Sequence, residues 1–179
     1  MPITVSVGLL ILRVVAGLTI AAHGAQKLFG WFEGPGFARF AQGFHGSGLK
    51  PGWLWTSLVI VGELGGGLSV ALGFLTPLGA AGMFGVMFMA MIRVHWKNGF
   101  WNGKRGIEFT LNLAAIAVAI GIMGPGDYSL DQLLGISLPE ARLFLILAAA
   151  ALVVDLIGLA LVRQSPPAAQ PQAPAAPAS

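Results

Sequence analysis

The chain contains no cysteine among its 179 residues. This absence excludes disulfide bonds, thiolate nucleophiles, CxxC redox chemistry, Cys-ligated metal sites and iron–sulfur clusters ligated by this chain. A redox function would therefore depend on a bound cofactor or on a diffusible carrier.

Charged residues are scarce as well. Asp, Glu, Lys and Arg make up 9% of the sequence and hydrophobic residues 56%, and the mean hydropathy is +0.81. So few polar side chains cannot cover a water-soluble globule of this length. The net charge is +3 with scattered basic residues, which excludes the clustered basic surface of a nucleic-acid-binding protein. The composition predicts an integral membrane protein, with the lipid bilayer as its first partner.

Five apolar stretches approach the ~20 residues that a helix needs to cross ~30 Å of hydrocarbon. They cover about residues 5–27, 55–75, 78–95, 108–123 and 143–162, the fourth being the shortest. The first lacks the basic flank and small-residue cleavage site of a signal peptide, so we expect a retained helix. The predicted fold class is all-α and membrane-integral.

The second and third stretches form a predicted hairpin. They are joined by "LTPLG", where the Thr76 hydroxyl can cap a helix and Pro77 suits its first turn. Small residues recur every three or four positions on both stretches, which favours close helix packing. These residues are Gly62, Gly66, Ser69 and Gly73 on the second stretch, and Gly79, Gly82, Val86 and Ala90 on the third.

Basic residues predict the orientation in the membrane. Five crossings place the loops 28–54 and 96–107 on the same side as the C-terminal tail. That side carries Lys27, Arg39, Lys50, Lys97, Lys104, Arg105 and Arg163, whereas the other side carries Arg142. Such a bias predicts an outside N-terminus and a cytoplasmic tail. The tail, "QSPPAAQPQAPAAPAS", is predicted to be disordered because it offers nothing to bury.

Ionisable residues within the apolar stretches need partners, because an ionised group at mid-bilayer costs ~3 kcal/mol or more. They are Arg13, His23, Glu63, Arg93, His95, Glu108 and Asp155. At ~1.5 Å per residue, Arg13 and Glu63 both fall near the membrane midplane. We expect an ion pair between them, with Asp155 as the competing partner of Arg13. Such a pair is either a structural bridge or a functional group.

Four of these residues form a candidate catalytic set: His23, Glu63, His95 and Glu108. Four different predicted helices each carry one of them toward the same half of the bundle, where neighbouring helices can bring them together. For each histidine alone, a hydrogen bond to a neighbouring helix or a headgroup contact is a sufficient structural explanation. The Glu-x-x-His spacing of bundle metal sites is missing, so no metal is predicted.

The segment "VHWKNGFW", residues 94–101, follows the third stretch. Trp96, Phe100 and Trp101 flank Asn98-Gly99, a dipeptide typical of tight turns, and such rings settle at the headgroup level. Flat rings over a His/Glu pocket suit a quinone. We therefore predict that these three aromatics and Arg13 bind this cofactor. A simple aromatic belt explains the same ring positions without a ligand.

A short surface helix is predicted within "GPGDYSLDQLLG", residues 124–135. Ser129 and Gln132 have the spacing of a capping box, and Gly135 is suited to end the helix. No catalytic arrangement is evident in this segment.

Several motifs together resemble the DoxX family of small bacterial membrane proteins. They are "LLILRVVAGLTIAAHGAQKLFGWF", "ELGGGLSVALGFLTPLGA", "VHWKNGFW" and "GPGDYSLDQLL", spread over about residues 7–134. The family's polar signature falls here on Arg13, His23, Gln26, Lys27, Glu63, His95, Trp96, Asn98, Gly99 and Glu108. The resemblance implies a four-helix membrane bundle at about residues 1–135, to which a further transmembrane helix at 136–163 and the tail at 164–179 are added.

The resemblance also implies a function, since the family is similar to the DoxD-type membrane subunits of archaeal thiosulfate:quinone oxidoreductases. We expect a quinone-interacting component of an oxidoreductase complex. In it His23 or His95 binds a quinone carbonyl, Glu63 and Glu108 relay protons, and Arg13 stabilises negative charge. A soluble or membrane redox partner would supply electrons. Two other hypotheses stay open: a non-catalytic membrane scaffold or assembly factor, and a small proton-coupled transporter.

Overall fold

A computed structural model describes residues 1–164, which form helices and turns without a β-strand. Gln164 ends the last helix, and the rest of the predicted tail lies outside the described residues. The predicted all-α membrane fold is confirmed.

All five predicted helices are present within residues 1–164. The long helices are α1 (Ile3–Phe29), α3 (Gly52–Leu72), α4 (Thr76–Asn98), α5 (Glu108–Met123) and α7 (Glu140–Gln164), and two short ones are α2 (Gly36–Gly46) and α6 (Leu130–Leu133). Four of the long helices are long and apolar enough to span a bilayer, and α5 is shorter. The sequence analysis did not predict α2.

The helices run between two ends of the bundle, named here the Asp131 end and the Glu63 end. The start of α1 lies at the Asp131 end, where Ser6 donates a 2.5 Å hydrogen bond to Asp127. The end of α1 lies at the Glu63 end, because Lys27 pairs with Glu63 there. The loops after α1 and α4 share the Glu63 end, as five crossings predicted. Which end faces the cytoplasm stays a prediction.

Glycine contacts determine how closely the helices pack. A Cβ on Gly17 of α1 would lie 2.5 Å from the Gly67 carbonyl oxygen of α3, and a Cβ on Gly66 would lie 2.9 Å from the Gly79 oxygen of α4. Only glycine permits backbones to approach this closely. The predicted small-residue packing between α3 and α4 is confirmed.

The last long helix, α7, completes the bundle by packing against α4 and α5. Its Phe144 is 1% exposed and its ring lies against Gly121 of α5. Gly158, near the other end of α7, lies against Met89 and Trp55. Helix α7 therefore extends from the Asp131 end to the Glu63 end.

The turn between α3 and α4 is held from outside the hairpin. The Asp131 carboxylate accepts hydrogen bonds from the Leu75 amide (2.8 Å), the Thr76 amide (3.1 Å) and the Thr76 hydroxyl (3.1 Å). The prediction that the Thr76 hydroxyl caps α4 is wrong, because this hydroxyl is a donor to Asp131 and the carboxylate serves as the cap. A proline in the first turn of α4 is confirmed.

The Ser129 half of the predicted capping box is confirmed. The Ser129 hydroxyl accepts a 3.1 Å hydrogen bond from the Gln132 amide, and Gly135 follows α6 with a φ of 66°. This short helix presents Asp131, which is fully buried, to the α3–α4 turn. Helix α6 therefore fastens the loop after α5 onto the Asp131 end of the bundle.

Candidate functional site

Arg13 belongs to the Asp131 end. Its side chain is 1% exposed, its Nη2 donates to the Tyr128 carbonyl oxygen, and Asp131 attracts it electrostatically. The expected ion pair with Glu63 is wrong, and so is the alternative pair with Asp155. Arg13 also lies outside the cavity described below, so the structure gives it no contact with a ligand there.

Helix register explains this correction. Gly17 faces Gly67 and Gly24 faces Leu64, so α1 and α3 are antiparallel and Arg13 is level with Gly73. Ten residues separate Glu63 from Gly73 in the sequence, which is about 15 Å along a helix. Counting inward from the predicted helix ends could not detect this offset, because the glycine contacts set it.

Glu63 is paired with Lys27 instead. The Lys27 ammonium forms an ion pair and hydrogen bond with the Glu63 carboxylate, and Glu63 is 4% exposed. The sequence analysis used Lys27 as a topology-determining loop residue and as part of the family signature, not as a partner of Glu63. Its position in the last turn of α1 was the available indication, since a lysine there can extend its ammonium along the helix toward a buried acid.

A cavity of about 720 Å³ opens beside this ion pair. Its walls come from α1, α2, α3, α4 and the start of α5, and include apolar side chains such as Ile20, Phe40, Met87 and Phe109. The ionisable side chains in the lining are His23, Lys27, Arg39, Glu63, Arg93 and His95. Three of the four predicted catalytic residues therefore share one cavity.

Glu108 is the exception among the predicted catalytic residues. It is absent from the lining of this cavity, and its carboxylate accepts a 2.8 Å hydrogen bond from the Asn102 amide. His95 lines the cavity, but its Nδ1 lies 2.7 Å from the Arg105 carbonyl oxygen, to which it donates. Both residues hold the loop between α4 and α5 in place.

The aromatic side chains of the 94–101 segment do not cover the cavity. Trp96, Phe100 and Trp101 are 60%, 47% and 65% exposed and are absent from its lining, so the expected aromatic lid over the His/Glu pocket is wrong. The amphipathic helix α2 takes that place with Phe40 and Phe44. The exposed rings match the aromatic-belt alternative. They have no contact with this cavity that would support their assignment to cofactor binding.

Comparison with known proteins agrees with the sequence motifs. A DoxX family profile matches residues 8–96. Inner membrane protein YqjF of Escherichia coli (strain K12) is 32% identical over 130 residues, which is 72% of this chain and 92% of that protein. The chain belongs to the DoxX family. No solved structure matches it.

Most of the cavity lies within the region matched by the DoxX profile. His23, Lys27, Glu63, Arg93 and His95 all fall between residues 8 and 96. Helix α5 contributes only Phe109 and Thr110 from beyond that region, and α7 contributes nothing to this cavity.

Positive charge dominates the cavity of this DoxX protein. Arg93 donates a 3.4 Å hydrogen bond from Nη2 to the Ser47 carbonyl oxygen, whereas its buried Nη1 has no hydrogen-bond partner among the described residues. Arg39 lies at the same cavity, and Glu63 is the only carboxylate that the described part of the chain contributes to the lining. The unpartnered Nη1 of Arg93 favours a ligand that carries electron-rich oxygen atoms. The sequence analysis marked Arg93 as a costly charge and Arg39 as a loop cation, and missed both as cavity residues.

Two π-helical turns position the central charged groups. Val61–Gly65 interrupts α3 at Glu63, and Met91–His95 interrupts α4 at Arg93 and His95. A π turn inserts one residue into the helix and redirects the side chains near it, and such turns occur frequently at functional sites. Apolar periodicity does not reveal them, so this feature was not predictable from the sequence.

Proposed function

We propose that this DoxX protein is a multi-pass inner membrane component of a quinone-linked oxidoreductase, and that it binds the quinone head group in the cavity beside Glu63. The observation that carries the proposal is the cavity itself. Its lining combines apolar and aromatic side chains with a buried Lys27–Glu63 pair and the unpartnered Nη1 of Arg93. A mostly apolar pocket with a few convergent polar groups is the usual form of a small-molecule site.

The cavity residues suit the two parts of a quinone differently. Arg93, through its unpartnered Nη1, and His23, whose ring lies 5.6 Å from that of Phe109, are the proposed hydrogen-bond donors to the quinone oxygens. Phe40 and Met87 offer apolar surface to the ring and its tail. This assignment replaces Arg13 and the exposed aromatics of residues 94–101 with side chains that line the cavity.

Glu63 and Lys27 are the proposed proton-transfer groups. Reduction of a quinone to a quinol takes up two electrons and two protons, so a site that binds it needs a proton path. The buried Glu63 carboxylate and the half-buried Lys27 ammonium exchange a proton through their shared hydrogen bond. A separate redox partner supplies the electrons in this proposal. The chain itself has no cysteine to ligate an iron–sulfur cluster.

Quinone binding tests the proposal directly. The purified protein in nanodiscs is titrated with a short-chain quinone, using wild type, Arg93→Gln, and Arg142→Gln as the matched control with the same chemical change outside the cavity. We expect wild type and Arg142→Gln to bind equally, and Arg93→Gln to bind at least tenfold more weakly, equivalent to ~1.4 kcal/mol, because it loses the unpartnered Nη1 donor. Circular dichroism and thermal unfolding verify that each variant is folded.

Two outcomes would overturn the proposal. If wild type does not bind quinone, the proposal has no basis. If wild type and Arg93→Gln bind equally, the quinone lies elsewhere. The alternatives have their own tests. A scaffold retains partner binding and phenotype when His23, Glu63 and His95 are replaced together, and a transporter gives substrate flux in proteoliposomes.

A further inference from the structure

A second cavity, of about 520 Å³, lies between α3, α4 and α7. Its lining is almost entirely apolar and includes glycines from both α3 and α4, among them Gly65, whose missing side chain would meet no atom within 4 Å. Phe44, Val59, Val86 and Met89 line this cavity and the Glu63 cavity alike. These four side chains therefore form the partition between two separate sites.

Asp155 of α7 is the distinctive group in this second cavity. Its side chain is 8% exposed, it lines the cavity, and its buried Oδ2 has no hydrogen-bond partner among the described residues. An unpaired carboxylate at this depth costs ~3 kcal/mol or more in a membrane. The carboxyl group therefore needs either a proton or a cation.

Among the side chains that the structure describes, none lining this cavity supplies that cation. The lining residues contributed by α3, α4 and the 44–49 segment include no charged or titratable side chain. On α5, which also packs against α7, the titratable residue is Glu108, and its carboxylate binds the Asn102 amide. Arg93 is directed to Ser47 and Phe44 at the other cavity. The described residues therefore leave the counter-ion of an ionised Asp155 to be supplied by a ligand.

Aromatic side chains line the same cavity as this carboxyl group. Gly158 follows Asp155 by three residues and so shares its face of α7, and the Trp55 ring lies against Gly158. Trp55 and Phe44 both line the cavity. Aromatic faces attract cations, most strongly where water is excluded.

We propose that this second cavity binds a lipophilic monovalent organic cation, such as a hydrophobic amine or a quaternary ammonium or phosphonium ion, with Asp155 as its counter-ion. Apolar walls accommodate its substituents, and the carboxylate and aromatic rings receive its charge. The bound cation replaces the proton on Asp155, which leaves to solvent. A lipid acyl chain would fill the cavity without releasing a proton. A metal ion would lack the further oxygen ligands that it requires.

This site is independent of the proposed quinone site. Asp155 lies on a different helix from every residue of the Glu63 cavity. It also lies outside residues 8–96, which match the DoxX profile.

Binding of radiolabelled tetraphenylphosphonium tests the proposal. The full chain is placed in phosphatidylcholine nanodiscs, with empty nanodiscs as the blank, and equilibrium dialysis compares wild type with Asp155→Asn and Asp155→Glu. Asp127→Asn is the matched control, since it makes the same change at the far end of the bundle. We expect saturable binding at one site by wild type and Asp127→Asn, at least a tenfold loss in Asp155→Asn, and partial retention in Asp155→Glu. Wild-type binding should weaken as the pH falls, with about one proton released per cation bound.

Two results would overturn this proposal. One is wild-type uptake that does not saturate above the blank, and the other is Asp155→Asn binding as tightly as wild type. Asp155→Asn removes the charge while keeping the side-chain shape, and its thermal unfolding verifies its fold. Quinone binding by the same variant should be unchanged, which separates this result from the test of the Glu63 cavity.

Discussion

The two ends of the bundle use buried charge differently. At the Asp131 end, one carboxylate accepts three hydrogen bonds from the α3–α4 turn, and Arg13 donates to a neighbouring loop carbonyl. At the Glu63 end, the charged groups surround a cavity of about 720 Å³. The same residue types therefore fasten a turn at one end and face open space at the other.

This contrast explains why residue type alone is a weak guide to function in a membrane bundle. Arg13 and Arg93 are both arginines within apolar helices. Arg13 is enclosed by protein and 1% exposed, whereas Arg93 lines a cavity. The chemistry available to each group depends on whether a ligand can reach it.

The largest expected effect follows from Asp131→Ala. Removing the carboxylate leaves the Leu75 and Thr76 donors unpaired and deprives Arg13 of its nearest acid, so we expect a loss of about 5 kcal/mol in the free energy of unfolding. Tryptophan-fluorescence unfolding in detergent measures it. Quinone binding by the folded fraction should be unchanged. A stability within 1 kcal/mol of wild type would show that this network does not hold the Asp131 end.

The Lys27–Glu63 pair gives the corresponding test at the other end. Lys27→Met leaves Glu63 buried without a partner and should cost about 3 kcal/mol, whereas the double variant Lys27→Met/Glu63→Leu should recover most of this loss. Unfolding of both single variants, the double variant and wild type completes a double-mutant cycle. If the two single effects simply add, the residues are not coupled.

The next largest effect is expected from disturbing the close packing of α1 against α3. A Cβ on Gly67 would lie 2.6 Å from the Gly17 carbonyl oxygen, whereas a Cβ on Gly65 would meet nothing within 4 Å. We expect Gly67→Ala to destabilise the fold by about 2 kcal/mol through overpacking. The control variant Gly65→Ala should unfold at the wild-type temperature or slightly above it. Equal unfolding temperatures for the two variants would contradict the α1–α3 contact.

Much of this architecture was predictable from local patterns. The helices, the hairpin and the helix cap at Ser129 follow from apolar runs, Pro77 and the Ser129–Gln132 spacing. Each of these signals acts within a few residues. The partner of Glu63 was not predictable, because it depends on the register between α1 and α3. That register is set by the contact between Gly17 and Gly67. The sequence contains many other glycine pairs that could have formed such a contact, so it does not indicate which pair does.

The candidate site was predicted in part for the same reason. His23, Glu63 and His95 do share a cavity, because each faces the bundle near the same end. Glu108 does not, since the loop after α4 uses its carboxylate. Helix α2 was overlooked within a long loop, although Phe37, Phe40 and Phe44 follow a helical spacing that predicts an amphipathic helix.

The smallest expected effect concerns Asp127 at the surface of the Asp131 end. A hydrogen bond from Ser6 and one from the N-terminal ammonium hold the pKa of Asp127 below its ordinary value. The contribution of this group to stability is therefore present above the unfolded-state pKa and is lost as the pH falls through the lowered folded-state pKa. Thermal unfolding between pH 6 and 3 should show a slightly flatter acid dependence for Asp127→Asn than for wild type. An identical dependence would show that Ser6 does not stabilise the carboxylate.

Photoaffinity labelling with an azidoquinone tests most directly whether the Glu63 end is the ligand site and the Asp131 end is structural. The protein in nanodiscs is labelled with and without excess unmodified quinone, and the modified residues are identified by mass spectrometry. We predict competable labelling of cavity residues such as Phe40, Met87 and Phe109. Labelling confined to the 124–135 segment, or labelling that excess quinone does not suppress, would contradict this account.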